Sequence, residues 1–286
     1  TVRPARWVIV DDGSTDRTPQ ILTEAARAHS WIQVVRREDR GRRAVGPGVI
    51  DAFYAGLDSV NPADYEYVCK LDADLIIPSS YFELLIREME ADSVVGTVSG
   101  KVFIKLPSGR LIHERRGDEA AVGPCNFYRR EAFEAIGGFV RIVGWDGIDG
   151  HTCRMKGWVA RSIMRDDLRL VHMRQMGSSD KGVITGRVRG GRGKWCLGSS
   201  LWYVCATAIY RIPDRPVVVG AIAMVYGYVL AMLSRAPRHD DKEYLRFLRW
   251  YELKSLLFGK QRTTERYHEN IRRHHRNADQ LAEAQP

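Results

Sequence analysis

The sequence has no CxxC pair, no internal repeat and no low-complexity tract. Its five cysteines (Cys69, Cys125, Cys153, Cys196 and Cys205) are odd in number and scattered. That argues against a zinc ribbon and against a small disulfide scaffold, and it reads as reduced thiols in a cytoplasmic setting. No secretory-leader pattern opens the chain. Acidic residues are the scarcer charge, 35 against 44 basic ones, for a formal net charge of +9. An excess of that sign predicts an anionic partner: a nucleotide, a phospholipid surface or a nucleic acid. A recognised nucleic-acid motif is also lacking, and the basic residues are interleaved with a long apolar segment, so no nucleic-acid partner is expected. What is present suffices for one large domain or a domain with appendages: 286 residues, 44% of them hydrophobic.

The most informative stretch is Tyr67-Val68-Cys69-Lys70-Leu71-Asp72-Ala73-Asp74. Its first half reads as a buried strand. Its end carries two carboxylates two positions apart, which an extended chain points the same way. Two carboxylates on one face repel each other, so a positive charge between them is expected. A divalent, oxygen-seeking ion, Mg2+ or Mn2+, suits them, with phosphate oxygens completing its shell. The plain alternative is an acidic loop that caps the next helix.

Earlier in the chain, Trp7-Val8-Ile9-Val10 predicts a short buried strand that ends in Asp11-Asp12-Gly13-Ser14. Thr18 and Pro19 suit a helix start, and Ile32 to Val35 reads as a second strand. This βαβ rhythm predicts an α/β sheet, whose ligands bind at strand carboxyl ends, where Asp11 and Asp12 lie. The plain alternative is a turn rich in Asp and Gly. Five arginines follow between positions 36 and 43. They lie between two strands that end in carboxylates, so a phosphate contact by Arg42 or Arg43 is reasonable. Further on, glycines surround Asp146, which reads as a loop position before a helix from His151 to Lys156.

The order of these signals resembles the family 2 glycosyltransferases. The set is Val-Asp-Asp-Gly-Ser-Thr-Asp, then Asp-Ala-Asp, then Arg-Arg-Glu-Ala-Phe-Glu-Ala-Ile-Gly-Gly-Phe, then Trp-Asp before a Gly-Trp helix end. The resemblance covers roughly residues 7–172. It implies the nucleotide-sugar-binding GT-A fold, with a mostly parallel sheet flanked by helices. It implies that Asp11 and Asp12 lie beside the base and ribose of the donor, and that Asp72 and Asp74 hold the metal on its diphosphate. Asp146 matches the catalytic aspartate, eleven residues before Gly157, with Asp149 as the rival. Trp145 stands where family members usually have the glutamate of a Glu-Asp pair. His172 matches a histidine that often approaches the metal or diphosphate. One base and direct attack imply inversion at the anomeric carbon. The family normally has a further strand and helix before the Asp-Asp-Gly-Ser strand, and only six residues precede Trp7 here. Without that unit β-ladder partners are missing for a central strand.

Residues 173–195 are basic and glycine-rich, and predict a mobile loop able to close over phosphates. Arg189, Arg192, Lys194 and Trp195 are its candidate acceptor or phosphate contacts. Residues 196–286 predict a helical, membrane-facing region after a catalytic domain at 1–195. Its segment 216–233 carries no charge and reaches the lower bound for a spanning helix. Arginines flank both of its ends, and its glycines and tyrosines suit an interfacial helix as well. Tyr244–Phe258 is amphipathic and suits an anionic bilayer. The expected protein is thus a metal-dependent inverting transferase at the cytoplasmic face of the membrane. Its expected donor is a nucleotide-diphosphate sugar, and its acceptor a lipid-linked or cell-surface glycan. Alternatives are a soluble transferase acting on a protein or small molecule, and a non-catalytic nucleotide-sugar-binding or membrane scaffold protein.

Overall fold

A computed structural model describes residues 1–39, 41, 46–106, 108–114, 117–173, 183–213 and 217–283. The chain opens with β1 (Trp7–Asp11), α1 (Thr18–Ala28), β2 (Ile32–Arg36) and α2 (Pro47–Leu57). It continues through β3 (Tyr67–Leu71), β4 (Leu75–Ile76), α3 (Tyr81–Glu90), β5 (Val95–Gly100), β6 (Val102–Lys105) and β7 (Leu111–His113). Next come β8 (Cys125–Arg129), α4 (Arg130–Ala135), α5 (Trp145–Met155), β9 (Val159–Ile163) and β10 (Leu170–His172). Five helices finish it: α6 (Val183–Leu197), α7 (Leu201–Tyr210), α8 (Val219–Leu233), α9 (Lys242–Phe258) and α10 (Lys260–Glu283).

The α/β character matches the expectation, but the sheets are mixed rather than mostly parallel. β1 and β2 pair in parallel as a separate two-stranded sheet. A four-stranded sheet has the order β3-β8-β5-β9, with β8 antiparallel to both neighbours and β9 parallel to β5. The other has the order β4-β10-β6-β7, with only β10 and β6 parallel. β8 enters as an antiparallel insertion because the segment before it returns through a turn at Val122–Cys125 instead of a crossover helix. No third strand pairs with β1 among the described residues.

The core lies on both faces of the β3-β8-β5-β9 sheet. On one face α3 buries Tyr81, Leu85 and Met89, spaced by four and so on one stripe, against Val95, Val98, Phe127 and Leu170. The other face holds an aromatic cluster. Phe53, Phe133, Phe139 and Trp145 meet edge to face, the last two with centroids 4.9 Å apart.

Three local expectations change. Residues 174–182 of the predicted basic loop lie outside the described residues; from Val183 the segment is helical, with Gly191 at its contact with α8. A Cβ on Gly191 would overlap the Met224 carbonyl oxygen, and one on Gly227 would overlap that of Val188. The α6 and α8 backbones therefore touch where glycine permits it. The apolar run forms a helix only from Val219 to Leu233, and among the described residues no helix is long and apolar enough to cross a membrane. The C-terminal residues form α10, which lies back on the catalytic part. Ile271 enters the α3 core, Arg272 ion-pairs with Asp92 at 2.9 Å, and His275 tilts against Trp158.

Candidate active site

β3 carries Lys70 and ends at Leu71; Asp72 follows directly, and Asp74 sits in the turn before β4. The Lys70 side chain is only 5% exposed, yet it carries a charge. Its ammonium ion-pairs with Asp72, donates to the Gly123 carbonyl at 2.9 Å and lies 5.1 Å from the centre of the Trp145 ring. β8 supplies the other side of this contact. Leu71 pairs with Cys125, and the Asp72 amide donates to the Pro124 carbonyl at 2.8 Å. Sequence reasoning passed over Lys70. The signal was a single lysine in an apolar strand, two residues before Asp72 and on its face.

Asp146 comes to the same place. Gly144 takes a left-handed φ of +86° and starts α5, so Asp146 sits in the first helical turn and not on a loop. Trp145 is buried in the aromatic cluster, which fixes that turn. A Cβ on Gly123 would lie 3.1 Å from Asp146 Oδ2, so this turn packs directly against the carboxylate. α6 closes the opposite side, where a Cβ on Gly147 would run into the Leu197 side chain at 2.5 Å. Asp72, Lys70, Gly123 and Asp146 thus form one contiguous group.

Asp149, the rival base, lies on the buried side of α5. Its Oδ2 accepts from Asn126 Nδ2 at 2.9 Å and from the Tyr128 hydroxyl at 2.8 Å. Burial, then the nearby Asp146 charge, pushes its carboxyl well above the usual range. These bonds tie α5 to β8, one turn of helix away from Asp146.

β10 brings His172 across from β4, 98 positions from its contact, so that Nε2 lies 3.1 Å from Asp74 Oδ1. His172 is buried, and its Nδ1 has no hydrogen-bond partner among the described residues. No group of three or more His, Cys, Asp or Glu suited to a metal forms among the described residues. Asp74 and His172 bring one carboxylate and one imidazole together, two donor types that divalent ions accept alongside phosphate oxygens and water.

The Asp11 and Asp12 pair lies at the end of β1. Asp11 is buried and its Oδ1 accepts from the Ser14 amide at 2.8 Å, which holds the turn. Asp12 faces Arg37 of the following loop at 3.2 Å. Gly13, with φ +89°, lets the chain at Asp39 pass directly over it. Arg42 and Arg43 lie outside the described residues. The four candidates in the basic segment sit on α6. Trp195 donates from Nε1 to the Ala236 carbonyl at 2.9 Å and stacks under Arg238, so it anchors α6 to the residues after α8. Lys194 lies 5.3 Å from the Tyr203 ring, and burial with the Lys260 charge lowers its pKa to about 8. Arg192 is exposed, and Arg189 is half-buried.

Acidic side chains gather at strand ends of an α/β domain whose sheets are mixed and flanked by helices. Residues 3–119 match the family described as glycosyl transferase family 2. Among curated proteins it is similar to the poly-beta-1,6-N-acetyl-D-glucosamine synthases of Staphylococcus aureus (strain COL) and Staphylococcus epidermidis. They are 29% and 30% identical over 105 residues, which is 36% of this chain. The chain spans only 23% of the length of those relatives. Among solved structures it is similar to the mannosyltransferase PcManGT from Pyrobaculum calidifontis, in complex with GDP-Man and Mn2+. The identity is 20%, the TM-score 0.45, and the match covers 93% of this chain and 76% of that one. GalNAc-T7 with UDP, GalNAc and Mn2+ is 13% identical with a TM-score of 0.49, over 88% of this chain and 52% of that one.

Proposed function

We propose that this protein is an inverting, metal-dependent glycosyltransferase. It takes a sugar from a nucleotide-diphosphate donor and places it on the hydroxyl of a lipid-linked or cell-surface glycan, at the cytoplasmic face of a membrane. The observation that carries this reading is the meeting of Asp72, Lys70 and Asp146 around Gly123. Asp11 and Asp12 line the base and ribose end of the donor pocket. Asp74 and His172 would hold a divalent cation, with Asp72 engaged by Lys70, and such an ion neutralises charge that develops on a departing diphosphate.

The acceptor hydroxyl is a weak nucleophile. Asp146 takes its proton as the oxygen attacks the anomeric carbon, and the nucleoside diphosphate leaves from the opposite face. A single base and a single displacement give inversion. Lys70 supplies fixed positive charge beside Asp72 and keeps the carboxylate aimed. Trp145, buried in the aromatic cluster, and the Leu197 side chain of α6 against Gly147 hold the helical turn that carries Asp146.

The test is thermal stability with a panel of nucleoside diphosphates, with and without Mn2+, on the wild type, Asp74→Ala and His172→Ala. The expected result is a metal-dependent rise for one nucleotide that both variants lose. A rise that persists in both would place the ion elsewhere.

A further inference from the structure

We propose that the groove between α7 and α9 is a docking surface for an anionic phospholipid bilayer. The proposal rests on the membrane-facing part of the function given above and names the surface that performs it.

Helix α9 is amphipathic in an unusual sense. Tyr244, Leu248, Tyr251, Glu252 and Ser255 form its inner stripe and are buried in the protein. Its outer stripe follows the same spacing of three and four through Lys242, Arg246, Arg249, Trp250, Leu253 and Leu257. A helix lying on a water-soluble surface would make that stripe polar. Here its first half is basic and its second half apolar. Trp250 is 58% exposed, and Leu257 66%. Across the groove, Trp202 of α7 is 46% exposed. The groove is open, about 540 Å³ in volume, and is lined by the two tryptophans, Leu245, Leu253 and three cations. No carboxylate lines it, and none of the three cations is ion-paired among the described residues. The adjoining helix α8 leaves its own apolar row open through Ile222, Tyr226, Leu230 and Leu233.

The combination selects the occupant. Tryptophan and arginine side chains share the headgroup layer, where rings sit half in hydrocarbon and guanidinium groups reach up to phosphate. Unpaired cations beside leucines suit a surface that is both anionic and apolar beneath. A second copy of the chain fits worse. Two-fold pairing would set the same patch against itself, with arginines facing arginines. A lipid surface needs no spanning helix, and none of the described helices is one.

The experiment is co-sedimentation of the full chain with vesicles of phosphatidylcholine alone or mixed in equal parts with phosphatidylglycerol. No sugar donor or acceptor is added, so failure here leaves the transfer reaction untouched, and failure of transfer leaves this result standing. The wild type is expected on the phosphatidylglycerol vesicles, with binding that falls as ionic strength rises. The pair Arg246→Glu and Arg249→Glu is expected to reduce partitioning by at least about tenfold, since each cation near an anionic surface counts for about fivefold and two are lost. Trp250→Ala is expected to weaken binding to both charged and high-salt vesicles while its melting temperature stays unchanged. The proposal is overturned if the wild type ignores phosphatidylglycerol vesicles, if both sets of variants bind as the wild type does, or if sedimentation shows a dimer that Trp250→Ala dissociates.

Discussion

The Lys70 ammonium holds the Asp72 carboxylate and the Gly123 carbonyl together, and so joins the end of β3 to the turn beneath Asp146. A lysine only 5% exposed is costly unless its charge is matched. Here the match is made by a residue of the proposed active site, so its effect should show in turnover. Lys70→Met keeps the aliphatic bulk and removes the charge. We expect kcat to fall by about ten- to a hundredfold, or about 1.4–2.8 kcal/mol. The melting temperature should move little, because Asp72 is 32% exposed and takes up water. Steady-state kinetics with thermal melting checks this; a large loss of stability with unchanged kcat would make Lys70 a packing residue.

Asp146 and Asp149 are one helical turn apart and should respond in opposite ways. Asp146→Asn removes the proposed base, with an expected loss of about 10²–10⁴ in kcat and unchanged nucleotide binding by calorimetry. Asp149→Asn disturbs a buried carboxylate bonded to Asn126 and Tyr128. It should cost about 1–3 kcal/mol of stability and retain the larger share of activity. Equal kinetic losses in the two variants would reopen the assignment of the base.

How much of this was legible in the sequence depends on what each signal needed. Strand periodicity applied to Lys70 and Asp72 would have found their contact, but it does not reach Asp74, which lies in the turn after β3. The Asp74–His172 contact could be anticipated only from the family pattern, since β4 and β10 meet across 98 positions. The glycines of α6 misled because a loop and a tight helix crossing ask for the same residue. Asp146 misled for a related reason: the glycines around it include a left-handed helix start, which looks like a loop until the helix is seen. Mixed strand direction left no mark in composition, because buried parallel and antiparallel strands use the same residues.

The α6–α8 crossing should tolerate no side chain. Gly191→Ala and Gly227→Ala each put a methyl against a carbonyl oxygen of the partner helix. We expect each to cost at least about 1–3 kcal/mol, seen as a fall of several degrees in melting temperature. Gly190→Ala, at an exposed position on α6 with open space, is the control and should be neutral or slightly stabilising.

Acid should loosen the attachment of α10. Burial, then the charge of Arg154, lowers the His268 imidazole from its ordinary 6.5 to about 3, so the folded chain keeps it neutral. Once the pH drops below about 6.5 the unfolded chain takes up a proton that the folded chain refuses. The stability from neutral His268 is therefore complete above that value and is lost as pH falls toward about 3, by up to about 1.4 kcal/mol per pH unit. Melting temperature should fall from pH 7 to pH 5, and His268→Phe should show a shallower slope. Identical slopes would assign the acid sensitivity to other groups such as His151, also held well below its ordinary value by burial.

The return of α10 to the sheet makes the α7–α9 segment a bracket bolted at two points. One bolt is the junction of α6 with the first turn of α5, and the other is the seat of Ile271 and Arg272 beside α3. A bracket fixed once could swivel; fixed twice, it sets the height and tilt of whatever it carries. With its outer face seated on a surface, the cleft at Asp146 would stand at one elevation above it. The reach of an acceptor from that surface would then be measured by the protein itself, as by a ruler.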